Sequence, residues 1–183
     1  MNYNSLKQFD IERFIKRTDK ILFPGCGNSL LCRDMAEDGY RELVGIDISS
    51  VVIENNKRRD GNYKSVSYQV MDCFDLSFDD NTFDSVIDKS TLDTFLCSEE
   101  MFANIPRYLE GVHRVLKPGG SFLIVSFNPP DAMEMVFSLC ESMTYELALR
   151  HWEEMQGLES LRELYPDLSE EDTKGMYTYL YVL

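Results

Sequence analysis

Four short stretches of this sequence place reactive or ligand-holding groups where a small molecule could meet them. The first, Ile21-Leu22-Phe23-Pro24-Gly25-Cys26-Gly27-Asn28, is an apolar run that turns through Gly-x-Gly into the start of a helix. Glycines serve a sharp turn that a ligand must approach without a Cβ in the way, so Gly25, Gly27 and Asn28 are candidate contacts. In the second, Gly45-Ile46-Asp47-Ile48, the acid follows Gly27 by 20 residues and ends an apolar run. There Asp47, with Ile48 beside it, can accept hydrogen bonds from both hydroxyls of a ribose. The third, Met71-Asp72-Cys73, offers a carboxylate for an adenine amino group and a backbone N–H for a ring nitrogen. The fourth, Asp88-Lys89, falls at the end of another apolar run, and doubly wound sheets bind ligands at such strand ends.

These four stretches converge only if the runs form one parallel sheet. Apolar segments at 21–23, 43–46, 66–71, 83–87 and 122–127 suit buried strands. Between the first two, Asn28 or Ser29 can cap a helix holding Leu31, Met35 and Ala36 that stops at Gly39. Between the next two, Ser49 caps 51–60 and Gly61 follows. Pro106 suits a first helical position, Leu109, Val112 and Leu116 share a face, and Lys117-Pro118-Gly119-Gly120 closes that element. Segments 144–152 and 176–183 read as two further strands, joined by an acidic connection, 153–175, in which Leu158, Leu161 and Leu164 suggest a short amphipathic helix. The first 19 residues carry Leu6, Phe9, Phe14 and Ile15 in a loose helical stripe, expected to pack on the sheet edge. The expected fold is therefore α/β: one domain over 1–183, a doubly wound, Rossmann-like sheet of seven strands, mostly parallel with an antiparallel last strand, and helices on both faces.

Composition narrows the chemistry. At 183 residues, 44% hydrophobic and 12% aromatic, the chain has enough apolar material for one core and is neither disordered nor collagen-like. Its net charge of −14 repels phosphate backbones and anionic lipid headgroups, so neither nucleic acid nor membrane is an expected partner, whereas a basic protein is compatible. Five cysteines with no C-x-x-C pair, and only His113 and His151 as histidines, argue against a structural metal site. No apolar segment suits a signal peptide or a membrane span, and the expected setting is the cytoplasm. Cys26 and Cys73 flank the expected ligand as structural thiols with no assigned chemistry.

Two nucleoside ligands compete for this arrangement. A dinucleotide site wants a third glycine where this chain has Leu30, so that a pyrophosphate can reach the helix N-terminus. S-adenosylmethionine has no pyrophosphate and needs no such approach. An NAD-dependent oxidoreductase is accordingly disfavoured, and no convincing hydride-transfer residue accompanies the turn.

Together the Gly-x-Gly turn, GIDIS, MDCFDLSFDDNTFDSVID and RVLKPGGSFLIVSF, in that order, resemble the class I S-adenosylmethionine-dependent methyltransferases over nearly the whole chain from Lys20. Within that class, LFPGCGNSLL, DISSVVIE and Asp88-Lys89-Ser90-Thr91-Leu92-Asp93 look like the branch that methylates lysines of translation elongation factor 1-alpha. The apolar Phe23, where the class usually has an acid, fits that branch; Ser90 replaces the branch's glycine. The branch also carries an N-terminal segment with Trp and Tyr that closes over the cofactor, but no Trp precedes the first strand here, so the resemblance implies either that this segment has been lost or that the chain is a shortened form whose cofactor site stays partly open. Asn128-Pro129-Pro130 resembles an amine-holding motif of other methyltransferases but follows the fifth strand rather than the fourth, and reads as a turn before a helix.

The resemblance implies S-adenosylmethionine as cofactor, S-adenosylhomocysteine as product and a lysine of a basic protein as acceptor. Gly25, Gly27, Asn28, Asp47, Ile48, Asp72, Cys73 and Lys89 are then cofactor contacts, and Asp88 orients the amine. A non-catalytic binding module and a small-molecule methyltransferase are the alternatives.

Overall fold

A computed structural model describes residues 3–139, 150–152 and 178–183. The apolar runs become β1 (Lys20–Phe23), β2 (Glu42–Asp47), β3 (Val66–Val70), β4 (Phe83–Lys89) and β5 (Leu116–Ser126), followed by the three-residue β6 (Arg150–Trp152) and by β7 (Thr178–Val182). Among the described residues they form one sheet in the order β3-β2-β1-β4-β5-β7-β6. The first five strands are parallel, and β7 runs antiparallel to both β5 and β6. Six of the strands have four residues or more. Residues 144–149 of the expected sixth strand, and the 153–175 connection with its helix, lie outside the described residues.

The helices are α1 (Tyr3–Lys7), α2 (Leu31–Glu37), α3 (Ser50–Asp60), α4 (Thr91–Leu96), α5 (Met101–Val115) and α6 (Pro130–Ser138). Side chains alternate along a strand, so neighbours enter opposite layers. Leu22, Val86, Phe122 and Ile124 pack with Tyr108, Leu109 and Val112 of α5 and Met133 and Val136 of α6. Ile21, Phe23, Ile87, Leu123 and Val125 pack on the other face with α1, with Leu31 and Met35 of α2, and with Ile53 of α3. Burying these faces supplies the main stabilising force, at about 25 cal/mol per Å2 of apolar surface removed from water.

Three local expectations are corrected. The N-terminal segment is a five-residue helix followed by a 3-10 turn at Ile11–Arg13, and it lies on the α2 face of the sheet rather than on its edge, with Tyr3, Leu6 and Phe9 buried. Asp38 fixes it there, accepting from Tyr3 Oη at 2.7 Å, Lys7 Nζ at 3.1 Å and Arg17 Nη2 at 3.0 Å. Helix α5 starts before Pro106, because Ile105 extends the buried stripe of Tyr108, Leu109 and Val112; Pro106 forfeits one helix hydrogen bond inside it. Lys117-Pro118-Gly119-Gly120 is a bulge within β5 rather than a turn before it. Phe83 faces Leu116 and Ser85 faces Ser121, and Gly119 takes up the kink at φ +76°.

Candidate functional site

The C-terminal ends of β1, β2, β3 and β4 surround a cavity of about 430 Å3, within the usual range for a small-molecule site. Gly25, Asp47, Ile48, Asp72, Cys73 and Lys89 all line it, so six of the eight expected ligand contacts are brought together. Met71, Phe74, Ser90, Thr91, Thr94 and Phe95 complete the wall.

The glycine turn owes its shape to positive φ at Gly25 (+56°) and Gly27 (+50°). A Cβ at Gly25 would fall 2.8 Å from Thr91 Cγ2. Gly27 does not line the cavity but orients what does: its N–H donates to Asp47 Oδ2 at 3.0 Å, while Ser49 N–H donates to Oδ1 at 2.9 Å. With both oxygens anchored from behind, the remaining lone pairs of Asp47 are pre-aimed, which is what a pair of ribose hydroxyls requires. Asn28 is exposed and outside the lining, and its contribution is a carbonyl held by Arg59 Nη1 at 3.1 Å. Helix α3 braces the turn further. Asn56 Nδ2 donates to Gly27 O at 2.8 Å, and Arg59, paired with the buried Asp60 at 2.7 Å, also holds Ser29 O at 3.0 Å.

At the other end of the cavity, Asp72 Oδ1 accepts Phe74 N–H at 2.9 Å, which fixes the carboxylate beside the aromatic pair Phe74 and Phe95, whose centroids are 4.6 Å apart. Lys89 is the single cation among the described lining residues. Burial pushes the Cys26 and Cys73 thiols up to about 12, so both stay protonated at neutral pH and neither is a nucleophile.

Asp88 is a correction. Its side chain does not line the cavity; the residue has no exposed surface, and its carboxylate is consumed inside the protein. Oδ1 accepts Thr91 N–H at 2.8 Å, and Oδ2 accepts Leu92 N–H at 3.0 Å and Tyr108 Oη at 2.6 Å. It therefore caps α4 and cannot orient an amine directly. Asp93 brackets the same helix from the other side, accepting from Ser126 Oγ, from Phe127 N–H at 3.1 Å and from Asn128 Nδ2 at 2.9 Å. Asn128 is thus tied to the corner before α6, which starts at Pro130 as a turn-then-helix reading expects.

Sequence reasoning missed Thr91, Ser90, Phe74 and Phe95 as site residues. Thr91 and Ser90 lay in a motif already singled out, and Phe74 directly follows Cys73.

The cavity at the strand ends, its glycine turn and its two outer carboxylates define a doubly wound α/β domain with a ligand-sized site at the C-terminal edge of its sheet. Residues 15–177 match the family described as "Methyltransferase domain", and the chain belongs to that family. It is 42% identical over 119 residues to the mouse "eEF1A lysine and N-terminal methyltransferase", covering 63% of this chain and 17% of the relative, and 40% identical to the human protein of the same name over the same shares. The bovine "EEF1A lysine methyltransferase 4" is 31% identical over 128 residues, covering 66% of this chain and 50% of its own length. This chain thus spans between a sixth and a half of the length of these relatives. Among solved structures, a Methanosarcina mazei protein described as an S-adenosylmethionine-dependent methyltransferase superposes with a TM-score of 0.67 at 21% identity, covering 94% of this chain and 95% of that one. The [4+2]-cyclase SpnF superposes equally well, at 0.68 and 16% identity over 98% of this chain and 80% of its own, so the fold is shared by proteins of different chemistry.

Proposed function

We propose that this chain binds S-adenosylmethionine in the cavity above β1, β2 and β3 and transfers its methyl group to an amine, the acceptor being a lysine of a basic protein in the cytoplasm. The observation that carries the reading is the Gly27–Asp47 hydrogen bond, which ties the glycine turn to an acid positioned for a ribose at the mouth of a cavity of suitable size. The names of the relatives, which specify lysine and N-terminal amines of eEF1A, favour an amine acceptor.

When bound, S-adenosylmethionine supplies a methyl carbon on a positively charged sulfur, which an uncharged amine takes by in-line displacement, the carbon–sulfur electron pair staying with sulfur to give S-adenosylhomocysteine. Asp47 would hold the ribose hydroxyls, and Asp72 with the Cys73 backbone N–H the adenine. Gly25 would let the backbone close on the amino-acid part, and Lys89 would face its carboxylate. Thr94 and Phe95 form the wall on which the amine approaches. That wall's task is to bring nitrogen and carbon to about 3 to 3.5 Å in line and to keep water out. A lysine, with an ordinary pKa of about 10.4, must first give its proton to water; desolvation beside Phe95 and beside the sulfonium charge lowers that pKa. The same reading makes residues 1–183 one methyltransferase domain, and the acidic composition of 153–175 suits a basic partner.

Titration calorimetry with S-adenosylhomocysteine tests the donor site, with NADH as the competing ligand. Micromolar binding of the first and none of the second is expected. Labelled methyl groups appearing on a protein band of a cell extract, and on its lysines, test the acceptor. Binding without transfer to any acceptor would leave a binding module.

A further inference from the structure

The glycine turn is held from a distant part of the chain. Thr91, the first residue of α4, is buried, and its hydroxyl donates to the Pro24 carbonyl at 2.9 Å and lies 3.5 Å from that of Gly25. Its hydroxyl oxygen and its methyl group together occupy the space a Cβ at Gly25 would need, the oxygen lying nearer. Thr91 is fixed in turn from behind, because its N–H sits on Asp88 Oδ1, and Asp88 is gripped by Leu92 N–H and by the Tyr108 hydroxyl. One buried chain of contacts thus runs from α5 through the end of β4 and the first turn of α4 to the Pro24–Gly25 peptide. In a trans peptide the N–H points opposite to the carbonyl. Pinning the Pro24 carbonyl on Thr91 therefore directs the Gly25 N–H away from Thr91, and among the described residues that N–H has no partner.

We propose that Thr91 is a positioning residue for the methyl donor: its hydroxyl sets the Pro24–Gly25 peptide so that the turn meets the amino-acid part of the donor, while Asp47 and Asp72 hold the adenosine part on their own. The proposal rests on the donor assignment above. Ligand affinity therefore divides into two parts that respond differently to the same substitution.

The test compares S-adenosylhomocysteine with 5′-methylthioadenosine, which keeps the adenosine and the sulfur but lacks the amino-acid part. Thr91→Val keeps the volume and removes the donor; Thr91→Ser keeps the donor and removes the methyl. By calorimetry, Thr91→Val weakens S-adenosylhomocysteine about tenfold, the scale of one hydrogen bond, and shifts 5′-methylthioadenosine less than about twofold, while Thr91→Ser leaves both near wild type. Thr91→Ala carries the same expectation as valine should the valine variant not fold. Wild-type affinity for both ligands in the valine variant overturns the proposal, as does an equal loss of both, which would mark a general collapse of the site. A wild-type chain that binds neither ligand removes the donor assignment and this proposal together, whereas failure of the variants alone to discriminate removes only this proposal.

Discussion

The hydroxyl of Tyr108 donates to the carboxylate of Asp88 at 2.6 Å, joining the middle of α5 to the end of β4 in a place with no solvent access. Burial pushes the Asp88 carboxyl up from 3.8 to about 7, against three hydrogen bonds that favour the ionised form. Between those two values the folded chain keeps a proton that the unfolded chain has lost. The stability this group contributes is therefore full below about pH 4 and falls away as pH rises toward 7. Urea midpoints of wild type measured from pH 4 to 8 should decline across that window, and Asp88→Asn, though less stable at pH 4, should decline less. Parallel curves for the two proteins would show that Asp88 does not titrate there.

Asp38 works in the opposite direction. Its hydrogen bond from Tyr3, with Lys7 and Arg17 adding to it, holds the carboxyl down at about 2, against burial that raises it. Stability from this latch is present above the unfolded value of 3.8 and lost as pH falls toward 2. Hydrogen-exchange protection at residues 3–9, taken relative to the intrinsic rate at each pH, should therefore fall below about pH 4 while β4 and β5 stay protected. Tyr3→Phe should show the same local loosening at neutral pH, at a cost of about 1 kcal/mol. Unchanged exchange in that variant would remove the latch.

Donor affinity should depend on Asp47 more than on any single apolar contact. Its loss forfeits charge-assisted hydrogen bonds to the ribose, worth roughly 1.5 to 3 kcal/mol, and releases the Gly27 N–H that it anchors. Asp47→Ala should weaken S-adenosylhomocysteine by between about 10- and 150-fold in calorimetry, with the fold intact by circular dichroism. A change of less than about threefold would mean that the ribose lies elsewhere.

Ser90 adopts φ +67°, a left-handed conformation that glycine accepts without strain and serine does not. Its N–H is committed to Val125 O at 3.0 Å, so the backbone cannot relax. Ser90→Gly should raise stability by about 1 kcal/mol, less whatever the freer unfolded chain regains, as read from urea unfolding. A destabilised variant would show that the serine side chain contributes more than its backbone strain costs.

Much of the site was legible in the sequence because its requirements are local. A turn that must admit a ligand backbone-first needs Gly25 and Gly27, and an acid at a strand end is marked by the apolar run before it, as at Asp47 and Asp72. The placement of Asp88 could also have been read. Side chains alternate along β4, so if Val86 packs toward α5 then Asp88 does too, while Ile87 and Lys89 face the other way; Asp88 and Lys89 cannot share a pocket wall. Pattern alone could not show that a tyrosine 20 residues later and the first turn of a six-residue helix would use up that carboxylate.

The sequence alone determined the order of the first five strands, the helices between β1 and β3, the glycine turn and the acids at the ends of β2 and β3, because each depends on neighbours within a few residues along the chain; the short helix α4 left no such local mark. Only the tertiary structure decided that Thr91 grips Pro24 across 67 residues, that Asp88 is a buried cap, and that the N-terminal segment lies on a face of the sheet. Such contacts depend on which surfaces meet once two layers of helix close on the sheet, and their partners are separated in the chain by distances that no local periodicity records.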